Sequence, residues 1–451
     1  MQVITRFAPS PTGKLHVGNI RTALINMLYA MQHRGLFYLR IDDTDSDKCS
    51  EIYSKQILED LTWLGFKWDL SFHQKNRINK YRSALKYLIK IGRVYPCYET
   101  PEELNLKRKS LLSRGNPPIY DRSSLRISDE EKKEYEHCGR KPHYRFLLKN
   151  KKITWNDLIK QNVSFQGKNL SDPIIVREDG SFTYLICSTI DDIEYNITDI
   201  LRGEDHITNT AIQIQMFEAL EANIPKFGHL NLIKSKNSKL SKRLSSSSIK
   251  GLRDNGFLPM SINSFLSYLG SSEPITIHSN LKELIKNFTV KRFTHNSAIY
   301  SINELENLNH KLIYQLEYSE VIKDLKKLNI DINENLWYTV RPNIKTLKDI
   351  IEWVDIVNNE PKYNDSLNWE YLNLSAKLLP ESLDNDTWHI WTQKIAKKMN
   401  LRGKNLYSPL RIALTGKERG PELNKLLPLI GYESIIKRLT TNRKGTVHPI
   451  V

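Results

Sequence analysis

Two short stretches, more than two hundred residues apart, carry the residue types that handle phosphate. The first, RFAPSPTGKLHVGN at Arg6–Asn19, passes from a short apolar start (Val3-Ile4) through a Pro/Gly loop into a helical pattern. Ile20, Ala23, Leu24, Met27, Leu28 and Met31 fall three or four apart, which predicts a helix opening near Gly18. A helix N-terminus presents free backbone N–H groups and a positive dipole end, which suits phosphate. His16 stands just before that end and can donate to a phosphate oxygen, and Gly18 leaves room for a nucleotide against the chain. The second stretch, SKLSKR at Ser238–Arg243, concentrates Lys239, Lys242 and Arg243 on a Ser/Gly-punctuated segment. Two such sites could clamp one triphosphate from opposite sides.

The elements that must position these residues follow an α/β order. Residues 1 to about 80 read as strand, helix, strand, helix: LFYLRI at Leu36–Ile41 is a buried-strand pattern, and Glu51–Leu64 is an amphipathic helix ending at Gly65. This is one half of a parallel sheet with its helices. Residues 81–183 change character, with Pro-rich and charged stretches such as GNPPIYDR and few clear helices, and read as an insertion. The α/β pattern resumes with TYLICSTIDD at Thr183–Asp192 and NITDILRGEDH, followed by a helix over Asn209–Ala222 and the strand-like HLNLIK. Residues 238–310 read as short helices broken by Gly and Pro, and 311–451 as predominantly helical. No NG or DG hairpin signal appears in that last third.

HVGN resembles the HIGH signature of class I aminoacyl-tRNA synthetases, and KLSKR resembles their KMSKS signature. FAPSPTGKLHVGN, LRIDDTD at Leu39–Asp45, LRGEDHITNT at Leu201–Thr210 and the lysine motif stand in the order found in bacterial glutamyl-tRNA synthetases. A lysine-rich loop by itself is usually solvated surface, and a lone four-residue signature arises by chance. Four motifs in this order leave that reading little room, and the resemblance runs from the first residues to about PLRIALTG at Pro409–Gly416, nearly the whole chain.

The resemblance implies a Rossmann-type parallel-sheet catalytic domain in two halves, residues 1–80 and 184–237, split by an inserted α+β acceptor-end binding domain, 81–183. A stem-contact domain with the lysine motif, 238–310, and an α-helical anticodon-binding region, 311–451, follow. It implies a cytoplasmic, monomeric ligase that uses ATP with Mg²⁺ to activate L-glutamate and charge tRNA-Glu. It further implies that His16, Lys239 and Lys242 act on the phosphates, and that Ser10, Gly18, Asn19, Gly203, Glu204, Asp205, His206, Leu240, Ser241 and Arg243 complete the ATP site. Arg6, Tyr184 and Arg202 would shape the pocket for the glutamate side-chain carboxylate, Asp42 would face its ammonium, and Ala8 and Ser10 would lie beside the substrate. A guanidinium fork matches both oxygens of a carboxylate. Two rival readings are a truncated paralogue that glutamylates a tRNA base, which lacks the helical last third, and a non-catalytic tRNA-binding relative, which has no need of both phosphate motifs.

Composition agrees. A net charge of +16 and a pI near 9.4 favour a polyanionic partner, although Lys/Asn/Ile-rich composition alone raises the pI. The opening MQVITRFAPS lacks the n- and h-regions of a secretory signal, and no apolar run reaches the about 18 residues of a membrane span. Four scattered cysteines suit a reducing compartment. Some relatives carry zinc in the inserted domain on a CxC followed later by Cys and His or a similar set; here the matching stretches read Pro96-Cys97-Tyr98-Glu99 and Tyr120–Ser124. One cysteine cannot build a tetrahedral site, so no structural zinc is expected. In the last third, Arg341-Pro342-Asn343 and Pro409-Leu410-Arg411 resemble the anticodon-contacting loops. Discriminating relatives often carry a second Arg at the place of Asn343, and a carboxamide cannot reproduce its bidentate contact, which leaves charging of tRNA-Gln open.

Overall fold

The computed structural model describes residues 2–45, 47, 49–235, 248–293, 298–361 and 367–440. It divides into two compact units, residues 1–252 with 259–302, and residues 253–258 with 303–451.

The first unit begins with strand β1 (Ile4–Phe7), helix α1 (Val17–Gln32), strand β2 (Leu36–Ile41), helix α2 (Glu51–Trp63) and strand β3 (Leu70–His73). The three strands are parallel in the order β1-β2-β3. Helix α1 is apolar almost all round, burying Ile20, Ala23, Leu24, Met27 and Leu28, because it lies under the sheet rather than on its rim. Its start is a reciprocal cap. The Gly18 N–H donates to His16 Nδ1 at 3.0 Å, and the His16 N–H donates to Asn19 Oδ1 at 3.2 Å. Gly35, which turns α1 into β2, allows no side chain, because a Cβ there would stand 2.1 Å from the Val3 carbonyl oxygen.

Between the two parallel pieces lie α3 (Ile78–Lys90), β4 (Val94–Cys97), α4 (Pro101–Ser113), α5 (Asp129–His137), β5 (His143–Phe146), the antiparallel pair β6 (Lys152–Asp157) and β7 (Gln161–Gln166), and β8 (Ile174–Val176). Strands β4, β5 and β8 form an antiparallel sheet in that order. Helices α4 and α5 fall in the stretch read above as poor in helix. Neither buries a residue, so neither has an apolar stripe to betray it. Their signal is the capping box, Thr100 with Glu103 and Ser128 with Glu131. Helix α3 runs through residue 80.

The parallel architecture resumes with α6 (Tyr184–Glu194), β9 (Asp199–Gly203), α7 (Ile207–Ala219) and β10 (Lys226–Leu230), the last parallel to β9. Thr198 joins the two halves: its N–H donates to the Ile4 carbonyl at 3.0 Å, and its hydroxyl accepts from the Ile4 N–H at 2.8 Å. The core shared by α3, α6, α7 and the strands contains Phe146, Ile186, Ile200, Phe217 and Phe227. Strand β11 (Ile233–Ser235) then pairs in parallel with β12 (Ala298–Tyr300), and the helix Pro259–Tyr268 packs on α1. Residues 236–247 lie outside the described residues, and with them Lys239, Leu240, Ser241, Lys242 and Arg243.

The second unit is helical, with no strand among the described residues. Its core holds Trp337 and Trp391, both fully buried. Arg438, also buried, donates to the carbonyls of Leu414 (2.7 Å), Ile356 (2.8 Å), Val357 (3.1 Å) and Asn359 (2.8 Å). It thereby caps the C-terminal ends of the helices Lys404–Thr415 and Ile350–Asn358 with one guanidinium.

The stretches that hold zinc in some relatives are occupied by a hydroxyl-rich knot. Glu99 accepts from Ser124 Oγ (2.7 Å), Tyr120 Oη (2.8 Å), Ser123 Oγ (2.8 Å) and Lys107 Nζ (3.0 Å). Burial opposes its ionisation, but these donors outweigh it and hold the carboxyl at about 2. Burial pushes the Cys97 thiol up, away from the thiolate that zinc needs. The residues present do not fit the ion. Purified protein should contain no stoichiometric zinc by elemental analysis, and a chelator should leave its melting temperature unchanged, whereas Glu99→Ala should lower it; stoichiometric zinc would overturn this account.

Candidate active site

A cleft of about 920 Å³ opens in the first unit over the start of α1 and the C-terminal ends of β1, β2 and β9. That is where ligands sit on parallel α/β sheets. It gathers Arg6, Ala8, Ser10, His16, Gly18, Asn19, Asp42, Tyr184, Arg202, Gly203, Asp205 and His206, from four separated stretches of sequence. Glu204 turns away: its carboxylate meets Lys160 Nζ at 2.6 Å and the Leu232 N–H at 3.1 Å. Described residues on both sides of the lysine motif border the same place. Ile233 lines the cleft, and Ser248 bridges His16 while the Ile249 N–H donates to the Leu15 carbonyl at 3.0 Å.

At one end the groups suit phosphate. Because His16 Nδ1 accepts from Gly18, the neutral ring carries its proton on Nε2, a donor. Desolvation by the surrounding chain lowers the pKa of His16 and favours this neutral form. Gly18 is needed for a reason the sequence did not disclose. A Cβ there would fall 2.8 Å from His16 Cε1, so the glycine makes room for the capping histidine. One turn further, Arg21 is buried, its Nη1 donating to the Asn231 carbonyl at 2.6 Å, and burial pulls its pKa down to about 10. Sequence reasoning passed over Arg21 and the strap Asn231–Ile233. The helical spacing from Gly18 to Arg21 was a usable signal for the first, since it puts both on one face.

At the other end lies a row of alternating charges. Arg6 binds Asp192 through both arms of its fork, at 3.0 and 3.3 Å. Arg40 Nη1 reaches the same carboxylate at 3.0 Å, and Arg40 grips Asp42 at 2.6 and 3.1 Å. All four side chains are buried. Arg202 differs. It donates to neutral oxygens only, Tyr184 Oη (3.1 Å), Thr210 Oγ1 (2.6 Å) and Gln213 Oε1 (2.7 Å), and its Nε is buried without a partner. Burial lowers its pKa, as expected for a cation lacking a counter-charge. An anionic group entering between Arg6 and Arg202 would supply one, while Asp42 offers a carboxylate to a cation.

In the second unit, Arg341 and Arg411 are tied to backbone. Arg341 Nη1 donates to the Leu316 carbonyl at 2.7 Å and its guanidinium stacks over Tyr338; Arg411 Nη2 donates to the Pro421 carbonyl at 3.0 Å. Asn343 is exposed at the end of the 3₁₀ turn Arg341–Asn343.

Comparison with known proteins decides the family. Residues 2–307 match the model of the class I tRNA synthetase (E and Q) catalytic domain, and residues 310–442 match that of an anticodon binding domain. The glutamate–tRNA ligase 1 of Rickettsia bellii is 52% identical over 443 residues, 97% of this chain and 100% of the relative. This chain belongs to the class I glutamate–tRNA ligases. The glutamate–tRNA ligase 2 of Rickettsia canadensis is 51% identical over the same shares of the two chains. The glutamate–tRNA synthetase of Elizabethkingia anophelis superposes with a TM-score of 0.83 at 26% identity, covering 97% of this chain and 99% of that one. A glutamate tRNA ligase from Elizabethkingia meningosepticum, crystallised with its amino acid, gives 0.82 at 26% identity over 97% and 98%.

The Asp42 carboxyl of this ligase is pushed up to about 6 by burial, which outweighs the nearby Arg40 guanidinium. A cationic ligand group needs it ionised. If Asp42 takes the ammonium of glutamate, glutamate binding, followed by calorimetry, should weaken as pH falls through about 6, by roughly tenfold at pH 5, one unit below that value. Asp42→Asn should flatten the profile. A pH-independent affinity between 5 and 7.5 would contradict the assignment.

Proposed function

We propose that the cleft joins L-glutamate to ATP and then esterifies the 3′-terminal ribose of tRNA-Glu. A glutamate α-carboxylate oxygen attacks the α-phosphorus, the bond to the bridging oxygen breaks, and pyrophosphate leaves, giving glutamyl-adenylate. A ribose hydroxyl of the tRNA then attacks the activated carbonyl and AMP departs. Such chemistry needs positioning and charge neutralisation more than acid–base side chains. Mg²⁺ enters with ATP as part of that substrate.

The observation that carries the reading is Arg202, a buried cation bonded only to neutral oxygens and facing the cleft beside Arg6 and Tyr184. The glutamate side-chain carboxylate supplies its missing partner. Glutamine is rejected because its amide NH₂ would point donors at donors. Asp42 takes the ammonium, Ala8 and Ser10 lie beside the amino acid, and His16 with the Gly18–Asn19 helix start holds the phosphates. Gly203, Asp205 and His206 border the adenosine, with Glu204 behind them. Lys239 and Lys242, in the motif Lys239-Leu240-Ser241-Lys242-Arg243, neutralise the departing pyrophosphate.

The same reading assigns residues 81–183 to the acceptor end, 238–310 to the stem and 311–451 to the anticodon, in a cytoplasmic monomer. No helix among the described residues is long and apolar enough to cross a membrane. The exposed carboxamide of Asn343, where a discriminating relative often carries Arg, favours charging of tRNA-Gln as well. Charging assays with both purified tRNAs test the reaction and the choice of tRNA. Glutamate, not glutamine, should be esterified, tRNA-Gln should accept it measurably, and Asn343→Arg should reduce that misacylation. No glutamate esterification would sink the whole reading. A strong preference for tRNA-Glu, unchanged by Asn343→Arg, would refute the relaxed specificity alone.

A further inference from the structure

The turn between β6 and β7 belongs to the segment that separates the two halves of the parallel architecture, yet chains of contact lead from it to both ends of the cleft. Asp157 anchors it. One carboxylate oxygen accepts from the N–H groups of Ile159 (3.0 Å), Lys160 (2.9 Å) and His229 (3.0 Å), and the other meets His229 Nδ1 at 2.5 Å. The Leu158 N–H donates to the Phe227 carbonyl at 2.8 Å, so the turn lies directly on β10. Gly228 permits this approach: a Cβ there would stand 2.5 Å from Leu201 Cδ2 and 3.3 Å from Leu158 Cβ. From this anchor two chains of contact depart. One runs from Asp157 through His229 Nε2 to Thr210 Oγ1 (2.8 Å), which accepts from Arg202. Asp157 and His229 are fully buried, so this acid–imidazole–hydroxyl row meets no substrate and serves to hold Arg202.

The other chain is Lys160. Its side chain is only 13% exposed, and its ammonium is shared between Glu204 Oε2 and Asn231 Oδ1. Glu204 takes the Leu232 N–H with its second oxygen, and the Asn231 carbonyl takes Arg21 Nη1. Asn231, Leu232 and Ile233 line the cleft on the side of His16 and Gly203. Lys160 and Arg21 thus hold the strap that forms one wall of the nucleotide end, and Lys160 does so without lining the cleft itself.

We propose that Lys160 is a positioning residue for ATP. Through Glu204 and Asn231 it sets the strap Asn231–Ile233 against which the nucleotide docks, while Asp157 on the same turn sets Arg202 at the amino-acid end. The proposal rests on the cleft being the ATP and glutamate site described above.

Equilibrium binding of ATP and of glutamate to the full chain, each measured by calorimetry, separates the two arms. Lys160→Gln should weaken ATP binding about tenfold and change glutamate affinity less than twofold, and Lys160→Arg should restore most of the loss. Adding Glu204→Gln to Lys160→Gln should not restore ATP binding, because the bridge to Asn231 stays broken. Asp157→Asn keeps an oxygen for the turn's N–H groups and changes only the group facing the His229 ring, so it should do the reverse and weaken glutamate alone. Unchanged ATP affinity in Lys160→Gln, equal losses for both ligands, or full recovery in the double variant would overturn the proposal. These binding measurements stand whether or not the wild-type protein esterifies tRNA, so a failure of the charging assay would count against the proposed reaction and leave this test decisive.

Discussion

Asp192 is the group on which the charged end of the cleft, the proposed amino-acid end, depends. One buried carboxylate holds Arg6 with both oxygens and shares an oxygen with Arg40, which in turn fixes Asp42. Two cations and two anions alternate, so the row is neutral as a whole and each charge has the opposite sign beside it. That is the condition under which ions survive burial, since removing one member of such a set leaves an uncompensated charge at a cost of about 3–5 kcal/mol. The members come from β1, β2 with the residues just beyond it, and α6, which the chain brings together from opposite sides of a long intervening segment. The row therefore ties the halves of the catalytic unit to each other, and it fixes Arg6 and Asp42 before any ligand arrives.

Against this balanced row Arg202, at the same end of the cleft, stands out as a cation bonded only to neutral oxygens. Its three acceptors are neutral, and burial lowers its pKa. Orienting an uncompensated guanidinium costs stability, and the Thr210, His229 and Asp157 contacts behind it show where the fold supports it. A carboxylate ligand recovers that energy on binding, which a neutral amide does not. On the proposed reading, specificity for an acidic amino acid follows from an electrostatic vacancy, with shape in a secondary part.

Much of the first unit was legible in the chain. Strand β2 falls on Leu36–Ile41 as its apolar run predicts, α1 opens one residue before Gly18, and α2 covers Glu51–Trp63 ahead of Gly65. These elements are legible because each sets apolar residues at its own period against the core, such as Phe37, Leu39 and Ile41 on β2 and Ile57 and Leu61 on α2. Helices α4 and α5 were not legible, since they bury no residue and announce themselves only by caps. The sequence motifs also found twelve of the cleft-lining residues, because chemistry and local turn geometry coincide in those stretches. They could not find Asp192, Arg40, Lys160 or the strap at Asn231, whose parts are set by tertiary contacts at separations such as the 186 residues between Arg6 and Asp192. Nor could they reveal that Gly18 serves the His16 ring, a steric fact of one cap.

The most direct test of the account is the affinity of Asp192→Asn for glutamate and for ATP, measured by calorimetry on protein whose melting curve confirms that it is folded at the assay temperature. If Asp192 orders Arg6 and, through Arg40, Asp42, glutamate binding should fall by at least tenfold while ATP binding stays within about twofold of wild type. Glutamate affinity equal to wild type in the folded variant would contradict the account, because the amino-acid end would then be built without the buried row.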